Sequence, residues 1–194
     1  MHTLQDLSSG ALAGIGHLRL NNLGLRHFPA AIFDLADTLE VLDLSGNQLT
    51  ELPADLHRLH RLRILFASNN PFTALPAALG ACAQLEMVGF KACAIEHVPA
   101  ASLPPRLRWL ILTDNCIEHL PDTLGQRPRL QKLMLSCNRI AALPDLSQCH
   151  RLELLRIAGN RFAQVPAGVL QLQALAWLAL AGNPLSMAAE QASL

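Results

Sequence analysis

The stretch Leu39 to Arg61, LEVLDLSGNQLTELPADLHRLHR, constrains the whole chain. With Leu39 as position 1, apolar residues fall at 1, 4, 6, 11, 14, 18 and 21, and Asn47 and Pro53 occupy positions 9 and 15. One such unit cannot bury its own apolar side, whereas a stack of units buries a continuous core. The unit recurs: LxxLxL-type cores begin at Ile15, Leu39, Leu62, Leu85, Leu107, Leu130, Leu152 and Leu175, in steps of 24, 23, 23, 22, 23, 22 and 23 residues. The chain therefore reads as a linear array of rungs.

The eight cores, IGHLRL, LEVLDL, LRILFA, LEMVGF, LRWLIL, LQKLML, LELLRI and LAWLAL, resemble the leucine-rich repeat, LxxLxLxxN/CxL, over residues 15–185. The resemblance implies an α/β right-handed horseshoe solenoid. Its parallel β-sheet lines the concave face, and short helical, 3₁₀ or extended segments line the convex face. Positions 3 to 5 of each repeat are read as a short strand, with 4 and 6 pointing inward and 3 and 5 outward. Position 9 reads Leu23, Asn47, Asn70, Cys93, Asn115, Asn138, Asn160 and Asn183. An inward Asn there is expected to satisfy backbone groups where the strand ends, Cys93 matches the family's alternative, and Leu23 departs from it.

Pro29, Pro53, Pro76, Pro99, Pro121, Pro144 and Pro166 at position 15 resemble the 23-residue LPxxL class of intracellular repeats. Pro fixes φ and lacks an N–H, which suits an extended segment feeding a helical or 3₁₀ turn. In the shortened repeats, Ser102-Leu103-Pro104-Pro105 is expected to replace that turn with a tighter extended arc, and Asp145 to Cys149 is likewise compressed.

Residues 1–14 are read as an N-terminal cap, with Leu4, Leu7 and Leu12 covering the first rung. Residues 186–194 are read as a short C-terminal cap, a helix from Ser186 to Ser193, or as the start of a longer parent chain. A cap so thin also raises self-association through the chain end.

Composition excludes several classes. The chain is 51% hydrophobic, 15% charged and without Tyr, which suits aliphatic rungs better than a globule around aromatics. Net charge is zero from 15 basic and 15 acidic residues, so a nucleic-acid partner is not expected. No apolar run approaches the ~18 residues needed to span a bilayer, so no membrane partner is expected either. The N-terminus, MHTLQDLSSG, carries no signal-peptide pattern. The five cysteines, Cys82, Cys93, Cys116, Cys137 and Cys149, form no CxxC pair, and free thiols in the cytoplasm are the expectation.

Function is expected on the outward strand positions. Position 3 reads His17, Val41, Ile64, Met87, Trp109, Lys132, Leu154 and Trp177, and position 5 reads Arg19, Asp43, Phe66, Gly89, Ile111, Met134, Arg156 and Ala179. Rungs ~4.8 Å apart unite Ile64, Phe66, Met87, Trp109, Ile111 and Met134 into one exposed apolar patch, flanked by Arg19, Asp43, Lys91, Asp114, Lys132 and Arg156. Such a patch with a charged rim has the anatomy of a protein or peptide interface. Trp177 is assigned instead to packing at the C-terminal end.

The remaining features read as surface. Glu96-His97 and Glu118-His119 stack on adjacent rungs; a solvated edge is favoured there over a metal site. Cys116 and Cys137 are read as thiols, and His57 to Arg61 as a solvated basic strip. The chain has no GxxxxGK[ST], GxSxG, HExxH, HRD or DFG sequence, so neither enzymatic activity nor a cofactor is expected. The leading reading is a non-catalytic module that binds protein or peptide on its concave face.

A second resemblance supplies the alternative. LEMVGFKAC, LPPRLRWLILTDN and LQKLML look like the N-terminal repeat region of bacterial leucine-rich-repeat proteins that carry a Ser/Thr kinase-like domain. That implies a module that positions a substrate for, or regulates, a larger enzyme. A repeat-containing ubiquitin ligase effector is the less favoured variant.

Overall fold

The computed structural model describes residues 2–185; the expected Ser186–Ser193 helix lies outside them. Eight three-residue strands form one parallel sheet in simple sequence order. They are β1 His17–Arg19, β2 Val41–Asp43, β3 Ile64–Phe66, β4 Met87–Gly89, β5 Trp109–Ile111, β6 Lys132–Met134, β7 Leu154–Arg156 and β8 Trp177–Ala179. Each occupies positions 3 to 5 of its repeat, and the pairing matches position to position, as in Leu65 beside Val88 and Val88 beside Leu110.

The register follows from the core. Slipping a strand by one residue would turn its inward Leu to the outside. The middle residues Leu18, Leu42, Leu65, Val88, Leu110, Leu133 and Leu155 are all fully buried. Phe72, Phe90 and Phe162 replace aliphatics in the stack, with Phe72 and Phe90 edge to face at 5.0 Å.

The Asn column locks the turn after each strand. Asn138 Nδ2 donates to Leu112 O (2.9 Å) and Leu135 O (3.0 Å), while its Oδ1 accepts from Ile117 N (3.0 Å). Asn70, Asn115 and Asn160 repeat this arrangement, and Cys93 substitutes only weak sulfur contacts of 3.6 and 3.7 Å. Leu23 makes no such contact; its own amide donates to Asn47 Oδ1 (3.0 Å).

The preceding position 8 has a positive φ in every repeat: Asn22, Gly46, Asn69, Ala92, Asp114, Cys137, Gly159 and Gly182. This left-handed residue turns the chain so that the Asn side chain points inward. Only Gly adopts it freely, and Asn or Asp at small cost.

On the opposite side, 3₁₀ turns follow the position-15 prolines at Ala30–Leu35, Leu56–Arg58, Ala77–Ala81, Ala100–Ser102, Asp122–Leu124 and Val169–Gln171. The turn at Ala100–Ser102 corrects the expectation for the first shortened repeat. It is retained because Ser102 N donates to Pro99 O (2.9 Å) as in the neighbouring repeats, with buried Ser102 Oγ donating to the same carbonyl (2.6 Å), and the chain becomes extended only at Leu103. In the second shortened repeat Asp145 Oδ1 accepts from Ser147 N (2.8 Å), and no 3₁₀ turn forms.

Both shortened repeats lie against a glycine of the repeat before. A Cβ on Gly80 would collide with Ala101 O, and one on Gly125 with Asp145 O. The missing side chains let the convex arcs close up where each loop loses a residue.

The N-terminal end is closed by α1, Leu4–Ser8, whose Thr3 and Asp6 form a reciprocal capping box. Leu7 and Leu12 are buried over the first rung, whereas Leu4 is exposed. His2 also covers the outer edge of β1: its N–H donates to Arg19 O (3.2 Å) and its Nδ1 accepts from Arg19 N (3.1 Å).

Candidate functional site

The parallel register brings the six apolar outward residues together in two rows. Ile64, Met87 and Trp109 are consecutive partners in the position-3 row, which continues to Lys132. The position-5 row runs Phe66, Gly89, Ile111 and Met134.

All six apolar residues are half-buried, not exposed as the sequence alone suggests. Side chains on rungs this close cover one another, and two contacts add to that. Gly89 has no Cβ, so the Phe66 ring lies over it; a Cβ there would come within 2.5 Å of the ring. The Lys132 ammonium sits 3.9 Å from the centre of the Trp109 ring, a cation–π contact. Lys132, placed at the rim by sequence, therefore caps the patch. Arg19, Lys91, Asp114 and Arg156 are exposed around it, and Asp43 is half-buried, its carboxylate accepting from Asn21 Nδ2 (2.8 Å).

Beside the strands, at position 2, runs a charge ladder that sequence reading passed over. Arg63 Nη2 lies 3.2 Å and Arg108 Nη1 3.3 Å from Glu86 Oε2, Arg63 also faces Glu40 (3.9 Å), and Arg108 donates to Gln131 Oε1 (2.9 Å). Burial pushes the Glu86 carboxyl up, but the two arginines outweigh it and hold its pKa below the ordinary value. The signal was the alternation Glu40, Arg63, Glu86, Arg108 in one column.

The secondary features separate. Glu96, His97, Glu118 and His119 line a lateral groove of about 580 Å³ with Cys116 and Arg139. Among the described residues no group of three or more His, Cys, Asp or Glu is arranged to hold a metal, and Glu118 pairs with Arg161 at 3.6 Å. The basic strip is locally neutralised: Arg58 faces Asp55 (3.1 Å), His60 faces Asp37 (3.4 Å) and Arg61 faces Glu40 (3.8 Å). All five cysteines are free thiols, and Cys137 alone is exposed. Trp177 is 59% exposed at the open end of the sheet. Among the described residues, no helix is long and apolar enough to cross a membrane.

A stacked parallel sheet with an Asn ladder defines a leucine-rich-repeat solenoid, and family comparison agrees. Leucine-rich-repeat family models match residues 105–162 ("Leucine rich repeat") and 37–86 ("Leucine Rich repeats (2 copies)"). The chain is a leucine-rich-repeat domain.

Human podocan-like protein 1 is 35% identical over 184 residues, 88% of this chain and 34% of that protein. Human leucine-rich repeat and calponin homology domain-containing protein 1 is 32% identical over 128 residues, 64% of this chain and 17% of that protein. The chain thus spans about a third or less of these relatives. Among solved structures, it is similar to the ectodomain of the Arabidopsis thaliana membrane receptor kinase GASSHO1/SCHENGEN3, in complex with CASPARIAN STRIP INTEGRITY FACTOR 2. The TM-score is 0.70 at 27% identity, over 86% of this chain and 24% of that one.

Proposed function

We propose that this chain is a protein- or peptide-binding module whose site is the concave face of β3 to β6. The carrying observation is the continuous apolar surface of Ile64, Phe66, Met87, Trp109, Ile111 and Met134, bounded by His17, Arg19 and Asp43 on one side and Arg156 on the other. Aromatic, Met and Arg residues are the types enriched where interfaces carry energy. The solved relative in complex with a partner supports the same use of the fold. The module itself is read as non-catalytic. Its free thiols suit a reducing compartment such as the cytoplasm.

The test is affinity capture from host lysate with the wild-type chain beside a Trp109→Ala/Phe66→Ala variant. The proposal expects proteins retained by the wild type and lost by the variant, both folded by circular dichroism. Equal retention refutes the concave site.

A second reading is supported by the receptor-kinase relative, of which the chain covers 24%. In it the module targets or regulates a larger enzyme, a Ser/Thr kinase such as the bacterial repeat proteins before a ubiquitin ligase effector. Sequencing the reading frame beyond Leu194 decides it: a kinase-like segment supports this reading, and an immediate stop codon removes it.

A further inference from the structure

Both rows of the apolar concave surface end in a cation. In the position-3 row Ile64, Met87 and Trp109 are followed by Lys132, and in the position-5 row Phe66, Gly89, Ile111 and Met134 are followed by Arg156. The opposite margin is mixed in sign, with Asp43 beside Phe66 and Arg19 beside Asp43. The surface therefore has a direction, apolar from β3 onward and basic where it reaches β6 and β7.

The neighbouring carboxylates do not meet these two cations. At position 2 Glu40 lies against Arg61 and Arg63, and Glu86 lies between Arg63 and Arg108. Asp43 accepts from Asn21 Nδ2 (2.8 Å) and Ser45 N (3.0 Å). Glu153, at the end of the ladder, is exposed, and on the other flank Lys91 and Asp114 are exposed and opposite in sign. Among the described residues neither Lys132 nor Arg156 forms an ion pair. The Lys132 ammonium rests instead on the apolar surface itself, 3.9 Å from the centre of the Trp109 ring. A ring face takes none of its directional N–H donors, which stay available to an oxygen arriving from above.

We propose that the partner presents an acidic, hydrophobic segment, with apolar side chains over β3 to β5 and carboxylates on Lys132 and Arg156. This rests on the concave-face reading above and names the chemistry of its ligand. A partner that covered Trp109 without supplying an anion would desolvate Lys132 and leave its charge unmatched, which is costly. A carboxylate removes that cost, and beside Arg156 it meets a guanidinium fork of matching geometry. From β3 to β6 the surface runs about 14 Å, the length of about four residues of extended chain, so one short segment reaches from Phe66 to both cations. A nucleic-acid backbone fits less well, since phosphates draw on many cations and the chain as a whole carries no net charge.

Selection of random linear peptides displayed on phage against the immobilised chain tests this, the recovered peptides then being measured by fluorescence anisotropy. The expected sequences carry Asp or Glu next to aromatic or aliphatic residues. Binding should weaken about ten-fold or more in Lys132→Glu/Arg156→Glu, fall as salt is raised, and disappear in Trp109→Ala, each variant being folded by circular dichroism. Arg156→Gln alters a single exposed side chain and should weaken binding about three-fold. Peptides that lack acidic residues, or that ignore both charge variants, yet are lost in Trp109→Ala overturn the acidic segment and leave the concave site standing. Peptides indifferent to Trp109→Ala remove both. Displacement of an acidic peptide by equimolar oligothymidylate would assign the cations to phosphate and also overturn the proposal.

Discussion

The Asn ladder predicts a specific pattern of energetic coupling. Where Asn residues stand in consecutive repeats, a position-6 carbonyl accepts from two of them: Leu112 O from Asn115 (3.0 Å) and Asn138 (2.9 Å), Leu135 O from Asn138 (3.0 Å) and Asn160 (2.9 Å). In Asn138→Ala both carbonyls keep one donor, and the group left bare is the buried Ile117 N–H. An orphaned buried donor costs about 1–3 kcal/mol and each net hydrogen bond about 0.5–1.5, so the single substitution should cost about 3–4 kcal/mol. Adding Asn115→Ala strips Leu112 O of both donors, so the pair should cost about 1–2 kcal/mol more than the sum of the singles. Asn70 and Asn138 share no carbonyl, and that double should be additive within about 0.5 kcal/mol. At about 0.05–0.15 kcal/mol per residue a chain of this length has about 10 kcal/mol or more to lose, so the doubles remain measurable. Urea unfolding followed by circular dichroism supplies the cycle. Equal coupling in the two pairs would refute the shared-acceptor account.

Three further outcomes follow from individual residues. Ala92→Gly, at φ 52°, exchanges a left-handed penalty of about 1–2 kcal/mol for glycine's entropy cost of about 0.5–1, so urea midpoints should show a net gain of about 0.5–1 kcal/mol. Gly125→Ala should instead cost about 2–3 kcal/mol in the same assay, because its methyl meets the immovable Asp145 carbonyl. The lowered Glu86 pKa makes a stability contribution that is present above its unfolded value, near 4.5, and lost as pH falls through the folded one. Urea midpoints between pH 7 and 3 should therefore fall more in wild type than in Glu86→Gln, and parallel loss would contradict the ladder's role.

The strands and the Asn column were legible because they repeat. A side chain that is inward in one repeat is inward in all, and eight copies average away local exceptions. The position-8 backbone was legible too, had Gly46, Gly159, Gly182, Asn22, Asn69 and Asp114 been read as one column; Ala92 and Cys137 obscured it. Exposure of the candidate site was not legible. It depends on how Phe66 lies over Gly89 and how Lys132 reaches Trp109, contacts between repeats that no single repeat encodes. The turn retained at Ala100–Ser102 follows the repeat pattern instead: Ser102 N donates to Pro99 O (2.9 Å) as the equivalent amides do after every other position-15 proline but Pro144, and the residue lost from the loop falls beyond it.

The concave site is tested most directly by methyl NMR of the Ile- and Met-labelled chain, titrated with a captured partner. Ile64, Met87, Ile111 and Met134 lie on the proposed surface, whereas Ile117, Ile140 and Ile157 are fully buried reporters of the core. The account predicts shifts concentrated in the first four, abolished by Trp109→Ala. Shifts confined to other methyls, with the four concave signals unmoved, would contradict it.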